Sequence, residues 1–291
     1  MNFGFKGLHP ITNLIFFIFA FIVSLTSTNP LLLLICFICG GIYAFKLQGR
    51  KIIPYVFKFI LPFILLIAVF NGLFSHYGVT VLFVMKNGNN FTLEAVIYGI
   101  VSGVRIGAML LWLESFNEII TGEKIIFLFG RLSPRLALVI SMVLRFIPLI
   151  RSQSQEIIKA EKGIGGSLEC ANFINKIRIL SRRLSILVSW TLEKGIDTSD
   201  SMRARGYALK GRTSYNDYLF LITDGAAVTI FTVAIVLSFI LSDKLQASYN
   251  PVIAMPTFDT ITNLTIIFFT FVLLLPLIFD LREEKLWSTS K

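Results

Sequence analysis

"LRFIPLIRSQSQEIIKAEKGIGG", residues 144–166, opens on apolar side chains and closes on charged ones and glycines. The chain around it has 291 residues, 55% of them hydrophobic, with 28 Phe and a mean hydropathy of +0.77. That composition lies outside the range of soluble domains and marks an integral membrane protein. Whether 144–166 crosses or leaves the membrane therefore decides the architecture. The apolar run that leads into it, 136–144, is far short of the roughly 20 residues needed to cross a hydrocarbon core about 30 Å thick. Arg145 and Pro148 interrupt the next turns, so the stretch reads as a helix leaving the bilayer surface toward water, stopped by Gly163, Gly165 and Gly166.

Working outward, apolar segments of spanning length fall at 11–28, 30–46, 52–75, 93–113, 218–242 and 260–280. The first two are expected to pair antiparallel around Asn29-Pro30. The third carries Pro54, Lys58 and Pro62 and is expected to kink. With the N-terminus inside, the Lys and Arg outside the central polar segment divide seven on the cytoplasmic side against two on the other. The net charge of +10 thus belongs to loops held at the membrane and does not call for nucleic acid. The predicted fold class is all-α: a polytopic membrane protein with about six transmembrane helices and a cytoplasmic helical subdomain. Its parts are 1–113, 114–217 and 218–291, with both termini cytoplasmic.

Within 114–217, Thr121 is placed to cap a short helix that has Glu123 in its first turn and ends at Gly130. A longer helix starts near Pro134. From 173, Phe173, Ile177, Leu180, Leu184, Leu187 and Val188 recur at three- and four-residue steps, with Lys176, Arg178, Arg182 and Arg183 between them, which is the pattern of an amphipathic helix. Asp197, Thr198 or Ser199 can cap the start of a last helix, whose final turn holds Arg203 and Arg205 before Gly206. A projecting guanidinium suits docking on an acidic groove, whereas local capping or phospholipid contact explains the same charges more simply.

"FNGLFSHYG" (70–78), "TLEAVIYGIVSGVRIGAMLLWLESFNEIITGEKIIFLFGRLSPRLALVISMVLRFIPLI" (92–150) and "MRARGY" (202–207) resemble the transmembrane T component of energy-coupling factor transporters, prokaryotic uptake systems of the ABC class. The resemblance implies a plasma-membrane subunit that joins two cytoplasmic ATPases to a small substrate-binding membrane subunit, for vitamin or metal-ion uptake. It also implies two coupling helices, each ending in an X-Arg-X motif that docks on an ATPase. The second motif falls on Ala204-Arg205-Gly206. At the first, Ile164 stands where the family pattern has Arg, leaving Lys162 and Gly163 as the docking candidates and Lys162 as a cation without the planar fork. Gly72 also replaces a proline of the family pattern.

Ala95, Gly99, Gly103 and Gly107 form a small-residue stripe suited to close helix packing, within the chain or at a subunit interface. Arg145 and Pro148, in the family block, are assigned to structure. Arg105 lies inside a span and must face protein or water; an ion pair is the expected reason for it, against a direct role in transport. The C-x-x-C of Cys36 and Cys39 lies in an apolar span and reads as packing rather than metal binding. No phosphate-binding loop G-x-x-x-x-G-K-[ST], Ser/His/Asp set or zinc-protease motif occurs, so the chain is expected to be non-catalytic and without a cofactor. A self-contained secondary transporter is the alternative and an intramembrane enzyme ranks lower; internal repeats would favour the former.

Overall fold

The computed structural model describes residues 4–75, 78–84, 90–164, 173–207, 218–249, 254 and 259–289; Gly165 and Gly166, expected to help stop a helix, lie outside them. Two helices begin at a capped proline. Nδ1 of His9 accepts a hydrogen bond from Ile11 N at 3.2 Å, and Oδ1 of Asn29 accepts one from Leu31 N at 3.0 Å. Pro10 and Pro30 come next, each at a position whose N–H would have no helical partner. These caps start α1 (Pro10–Thr26) and α2 (Pro30–Gln48). Gly49, at φ +63°, turns the chain into α3 (Ile52–Tyr55), one π turn (Val56–Ile60) and α4 (Leu61–Phe74). The interruption expected from Pro54, Lys58 and Pro62 takes the form of that π turn: Pro62 has no N–H for the carbonyl four residues back, and an extra residue is accommodated there.

A hairpin of β1 (Val81–Val84) and β2 (Asn90–Thr92), with Val81 opposite Thr92 and Phe83 opposite Phe91, leads into α5 (Leu93–Ile119). Then come α6 (Gly122–Leu132), α7 (Pro134–Gly163), α8 (Phe173–Ala204), α9 (Ile222–Ile240), α10 (Ser242–Leu245) and α11 (Thr260–Thr289). The hairpin is an exception to the all-helical expectation. Its aromatic ring also bears on the Gly72 departure, because a Cβ at Gly72 would lie 2.5 Å from Phe91 Cε2. The chain divides into two compact units, residues 1–121 with 218–291, and residues 122–217.

Among the described residues five helical stretches are long and apolar enough to cross a membrane. One, Pro30–Phe74, divides at Gly49 into α2 and the α3–α4 segment; α5, α7, α9 and α11 supply the others, and α1 is apolar but shorter. The protein is therefore an all-α polytopic membrane protein. α7 meets this measure by length and composition, although Arg145 and Pro148 divide its apolar run; neither breaks the helix, and no residue of its most apolar stretch is buried.

In the larger unit α1 packs chiefly on α9 and α5, and α2 on α5, so the expected α1–α2 pairing is only a minor contact. Sequence neighbours are joined by a short turn, but the large aromatic faces find better partners elsewhere. Phe16 meets Trp112 of α5 and Phe231 of α9 edge-on at centroid distances of 5.4 and 5.2 Å. Cys36 Sγ accepts from Trp112 Nε1 at 3.3 Å and lies 3.1 Å from Ser24 Oγ, a packing role for that thiol. Asp224, fully buried at the start of α9, accepts from His9 N (3.0 Å), Thr12 Oγ1 (3.1 Å) and Leu221 N (3.1 Å), so one carboxylate holds the first turns of α1 and α9 together.

The small-residue stripe faces α4. A Cβ on Gly99 would lie 2.7 Å from Ala68 Cα, and one on Gly103 3.0 Å from Ile64 Cα; at Gly107 the nearest atoms belong to Ile60 and Phe37, and Ala95 is fully buried. Glycine is needed at 99 and 103 because the opposing atoms are backbone. Among the described residues Arg105 has no ion pair, and its Nε and Nη2 are buried with no hydrogen-bond partner there.

In the smaller unit α6 runs through Gly130, contrary to expectation, and ends at Leu132. Ser133, ahead of Pro134, takes φ −155° and ψ 115°, the extended conformation that a following proline enforces. α8 is likewise continuous through 197–200. The side chains expected to cap a new helix bond within the existing one: Asp197 Oδ2 lies 3.3 Å from Lys194 Nζ, and Thr198 Oγ1 donates to Lys194 O at 2.7 Å.

Candidate coupling helices

α7 and α8 meet where the Arg183 guanidinium donates to the Glu161 carboxylate. The side chains are only 12% and 19% exposed, so the pair is shielded in a way surface pairs are not. Arg183 was legible only as one cation of the amphipathic helix and Glu161 not at all, since partners 22 positions apart on different helices leave no periodic signature. The contact fixes where α8 crosses α7, one residue before Lys162. From Arg183 to Ala204 the helix runs on for 21 residues, about 32 Å at 1.5 Å per residue.

At the far end Ala204 is the last helical residue, followed by Arg205, and Gly206 takes φ +74°. Tyr207 N donates to Met202 O at 3.2 Å and Gly206 N to Arg203 O at 3.0 Å. Those two bonds make a Schellman cap, which requires a residue in the left-handed region and so selects glycine. Ala204, Arg205 and Tyr207 are all exposed. The guanidinium of Arg205 forms no ion pair with any described carboxylate and is held at a terminus whose backbone is fully determined. Arg203 lies two residues back on the same helix, about 160° round the axis from Arg205 and also exposed.

At the C-terminal end of α7 Lys162 and Gly163 are exposed, and a Cβ on Gly163 would meet nothing within 4 Å. Ile164, where the resembled pattern carries Arg, is 88% exposed, and its N–H closes the helix on Ala160 O and Glu161 O at 3.2 Å. An apolar side chain so exposed leaves Lys162 as the nearest cation at this terminus. Arg145 and Pro148 are exposed in mid-α7. The apolar stripe of α8 is open as well, with Ile177, Leu180, Leu184 and Val188 each about half exposed or more. A contiguous apolar face of this extent marks a contact surface for protein or lipid.

Two helix ends with exposed cations, one beside the Glu161–Arg183 pair and one at the Schellman cap, thus accompany a set of membrane-length helices. Residues 5–215 match the family described as cobalt transport protein, CbiQ. The chain belongs to this family. Curated relatives include the energy-coupling factor transporter transmembrane protein EcfT of Lactobacillus helveticus, 35% identical over 81 residues, which cover 28% of this chain and 29% of the relative. The EcfT protein of Staphylococcus aureus is 27% identical over 108 residues, covering 37% of this chain and 40% of the relative. That of Listeria innocua is 33% identical over 81 residues, 28% of this chain and 31% of the relative. The chain aligns with less than half the length of each. The family is described as a transport protein, and these relatives as transmembrane proteins of energy-coupling factor transporters.

Proposed function

We propose that this CbiQ-family protein is the coupling subunit of an energy-coupling factor transporter, relaying the closure of two cytoplasmic ATPases to a small substrate-binding membrane subunit that takes up a vitamin or metal ion. The observation that carries the proposal is the end of α8: an exposed arginine with no ion-pair partner among the described residues, on a terminus rigidly capped by Gly206. A carboxylate-lined groove on an ATPase would receive that guanidinium through paired, charge-assisted hydrogen bonds. Ala204-Arg205-Gly206 docks one ATPase, and Lys162-Gly163 at the end of α7 meets the other. The Glu161–Arg183 pair makes the connection stiff, so that displacement of one end is transmitted and not absorbed. The apolar stripe of α8 is the face on which the substrate-binding subunit rocks. In this arrangement α6–α8 and both termini are cytoplasmic, the lipid bilayer surrounds the larger unit, and ATP hydrolysis belongs to the partner chains.

The test is purification in mild detergent and then reconstitution. Two ATPases and a small membrane protein are expected to accompany the chain, and uptake into liposomes is expected only with ATP and the ATPases present. Uptake by the chain alone would contradict the proposal and restore the secondary-transporter reading.

A further inference from the structure

The hairpin between α4 and α5 is fastened to both helices. On the β1 side Thr80 N donates to the buried Glu94 carboxylate in the first turn of α5, at 3.1 and 3.3 Å from its two oxygens. On the β2 side the Phe91 ring lies against Gly72 of α4, where a Cβ would come within 2.5 Å of it. Gly72 stands two residues, about 3 Å, before the end of α4. The helical stretch from Ile52 to Phe74, with 4, 5 and 14 residues in its three parts, runs about 33 Å at 1.5 Å per residue. A segment that starts at one surface of a hydrocarbon core about 30 Å thick therefore ends at the other, and Phe91 holds the hairpin at that level.

The register turns one face of the hairpin away from the helices. Val81 pairs with Thr92 and Val84 with Asn90, two positions apart on β2, so Val81 and Val84 share a face. Phe91, between those two partners, points the other way, toward Gly72. The pairing passes from Val81 to Phe83 with Leu82 left over, a bulge that adds a residue to β1 without turning Val84 toward α4. Val79, Val81, Leu82 and Val84 are 67, 45, 56 and 62% exposed. Phe70, Leu73 and Phe74 are exposed on the last turns of α4, so apolar exposure continues from a membrane-length helix onto a ribbon held at its end.

β1 has β2 as its neighbour and no other strand among the described residues, so its outer edge carries N–H and C=O groups outside any ladder. Open edges are not sustained in the hydrocarbon interior, and an apolar face of this kind is costly in water. The boundary between acyl chains and headgroups meets both conditions: water reaches the strand edge there, while the valine and leucine side chains enter the acyl region.

We propose that the β1–β2 hairpin is a membrane-surface anchor, lying in the bilayer–water boundary with Val81, Leu82 and Val84 in phospholipid and fixing the depth of the α4–α5 pair at that end. A phospholipid surface is the occupant because the hairpin is held where α4 leaves the core and because its apolar side chains extend the exposed apolar surface of that helix. The inference depends neither on which side of the membrane this end faces nor on the partner subunits.

The test places a nitroxide on Leu82→Cys or Val84→Cys in a full-length chain lacking its native cysteines, reconstituted into phosphatidylethanolamine–phosphatidylglycerol bilayers. Power-saturation EPR compares collisions with oxygen, which concentrates among acyl chains, and with a water-soluble nickel chelate. Leu65→Cys, on the exposed side of α4, and free label in buffer set the lipid and water limits. Oxygen contact is expected to exceed nickel contact at both hairpin positions, the reverse of the order for free label, at a depth shallower than Leu65→Cys. The same order is expected after the subunits that accompany the chain in mild detergent are added back. Dominant nickel contact at both positions would overturn the inference and place the hairpin in water. Loss of contact with both reagents after the subunits are added back would overturn it in favour of a protein cover.

Discussion

Placing a single methyl group at Gly99 measures how closely α5 and α4 are packed. In Gly99→Ala the new Cβ would sit 2.7 Å from Ala68 Cα and 3.0 Å from Ala68 O, both backbone atoms that no rotamer can move. Ordinary carbon contacts are about 3.5–4.0 Å, so the helices must part by about 1 Å. Overpacking costs about 1–3 kcal/mol, and two backbone contacts this short put Gly99→Ala at the upper end, about 3 kcal/mol, against which alanine regains about 1 kcal/mol of helix propensity, leaving a net loss of about 2 kcal/mol. Gly41→Ala is the control within the same unit. There the nearest atom is Leu111 Cδ1 at 3.8 Å, an ordinary contact, so the propensity gain survives and the variant should be about 1 kcal/mol more stable than wild type. The assay is thermal unfolding of both variants in one detergent, read as the folded fraction by size-exclusion chromatography. A shift of about 2–4 °C per kcal/mol is expected, downward for Gly99→Ala and upward for Gly41→Ala. A Gly99→Ala chain as stable as wild type would refute the close α4–α5 contact.

Asp224→Asn should cost about 2–3 kcal/mol, because an amide placed among the donors His9 N, Thr12 Oγ1 and Leu221 N must leave one of them facing another donor; the same unfolding assay reads it. Glu161→Arg and Arg183→Glu should each loosen the smaller unit, and the double exchange should recover about 1 kcal/mol of coupling in a double-mutant cycle followed by limited proteolysis. Additive effects would show that the pair does not hold α7 to α8. A cysteine at Ser201, exposed on α8, introduced into a chain lacking its native cysteines, should resist a membrane-impermeant maleimide in intact cells and react in inverted vesicles. Labelling in intact cells would reverse the proposed orientation.

The helices were legible wherever an apolar run exceeded bilayer thickness or a three-to-four periodicity persisted, because in both cases the pattern and the physical constraint have the same length scale. Single-residue punctuation was less dependable. Gly130 and the Asp197-Thr198-Ser199 run are both tolerated within helices, since continuing the backbone ladder is worth more than each local preference. Gly206 did end its helix, because there the Schellman bonds Tyr207 N to Met202 O and Gly206 N to Arg203 O fix the left-handed residue. The hairpin carried a readable signal in Asn87-Gly88 between short apolar runs. Pairings across distance had none: the Glu161–Arg183 bridge, the Asp224 clamp and the orphaned guanidinium of Arg105 depend on which helix faces lie opposite, and that is set by tertiary packing.

The central claim is that the α8 terminus grips an ATPase, and the comparison of Arg205→Ala with Arg203→Ala tests it most directly. If Arg205 pairs with a carboxylate at a desolvated interface, its removal leaves that charge unpaired and costs about 2–5 kcal/mol of docking. Arg203 lies about 160° round the helix, and its loss should remove only the roughly 0.3–1 kcal/mol that a cation gains near a helix C-terminus. Both variants are expressed with the partner subunits at matched membrane abundance, and ATPase co-purification and ATP-driven uptake are measured side by side. The account predicts that Arg205→Ala loses ATPase and uptake while Arg203→Ala keeps both. Equal, near-normal values for the two would contradict it and leave these arginines as charges that merely complement the end of a helix.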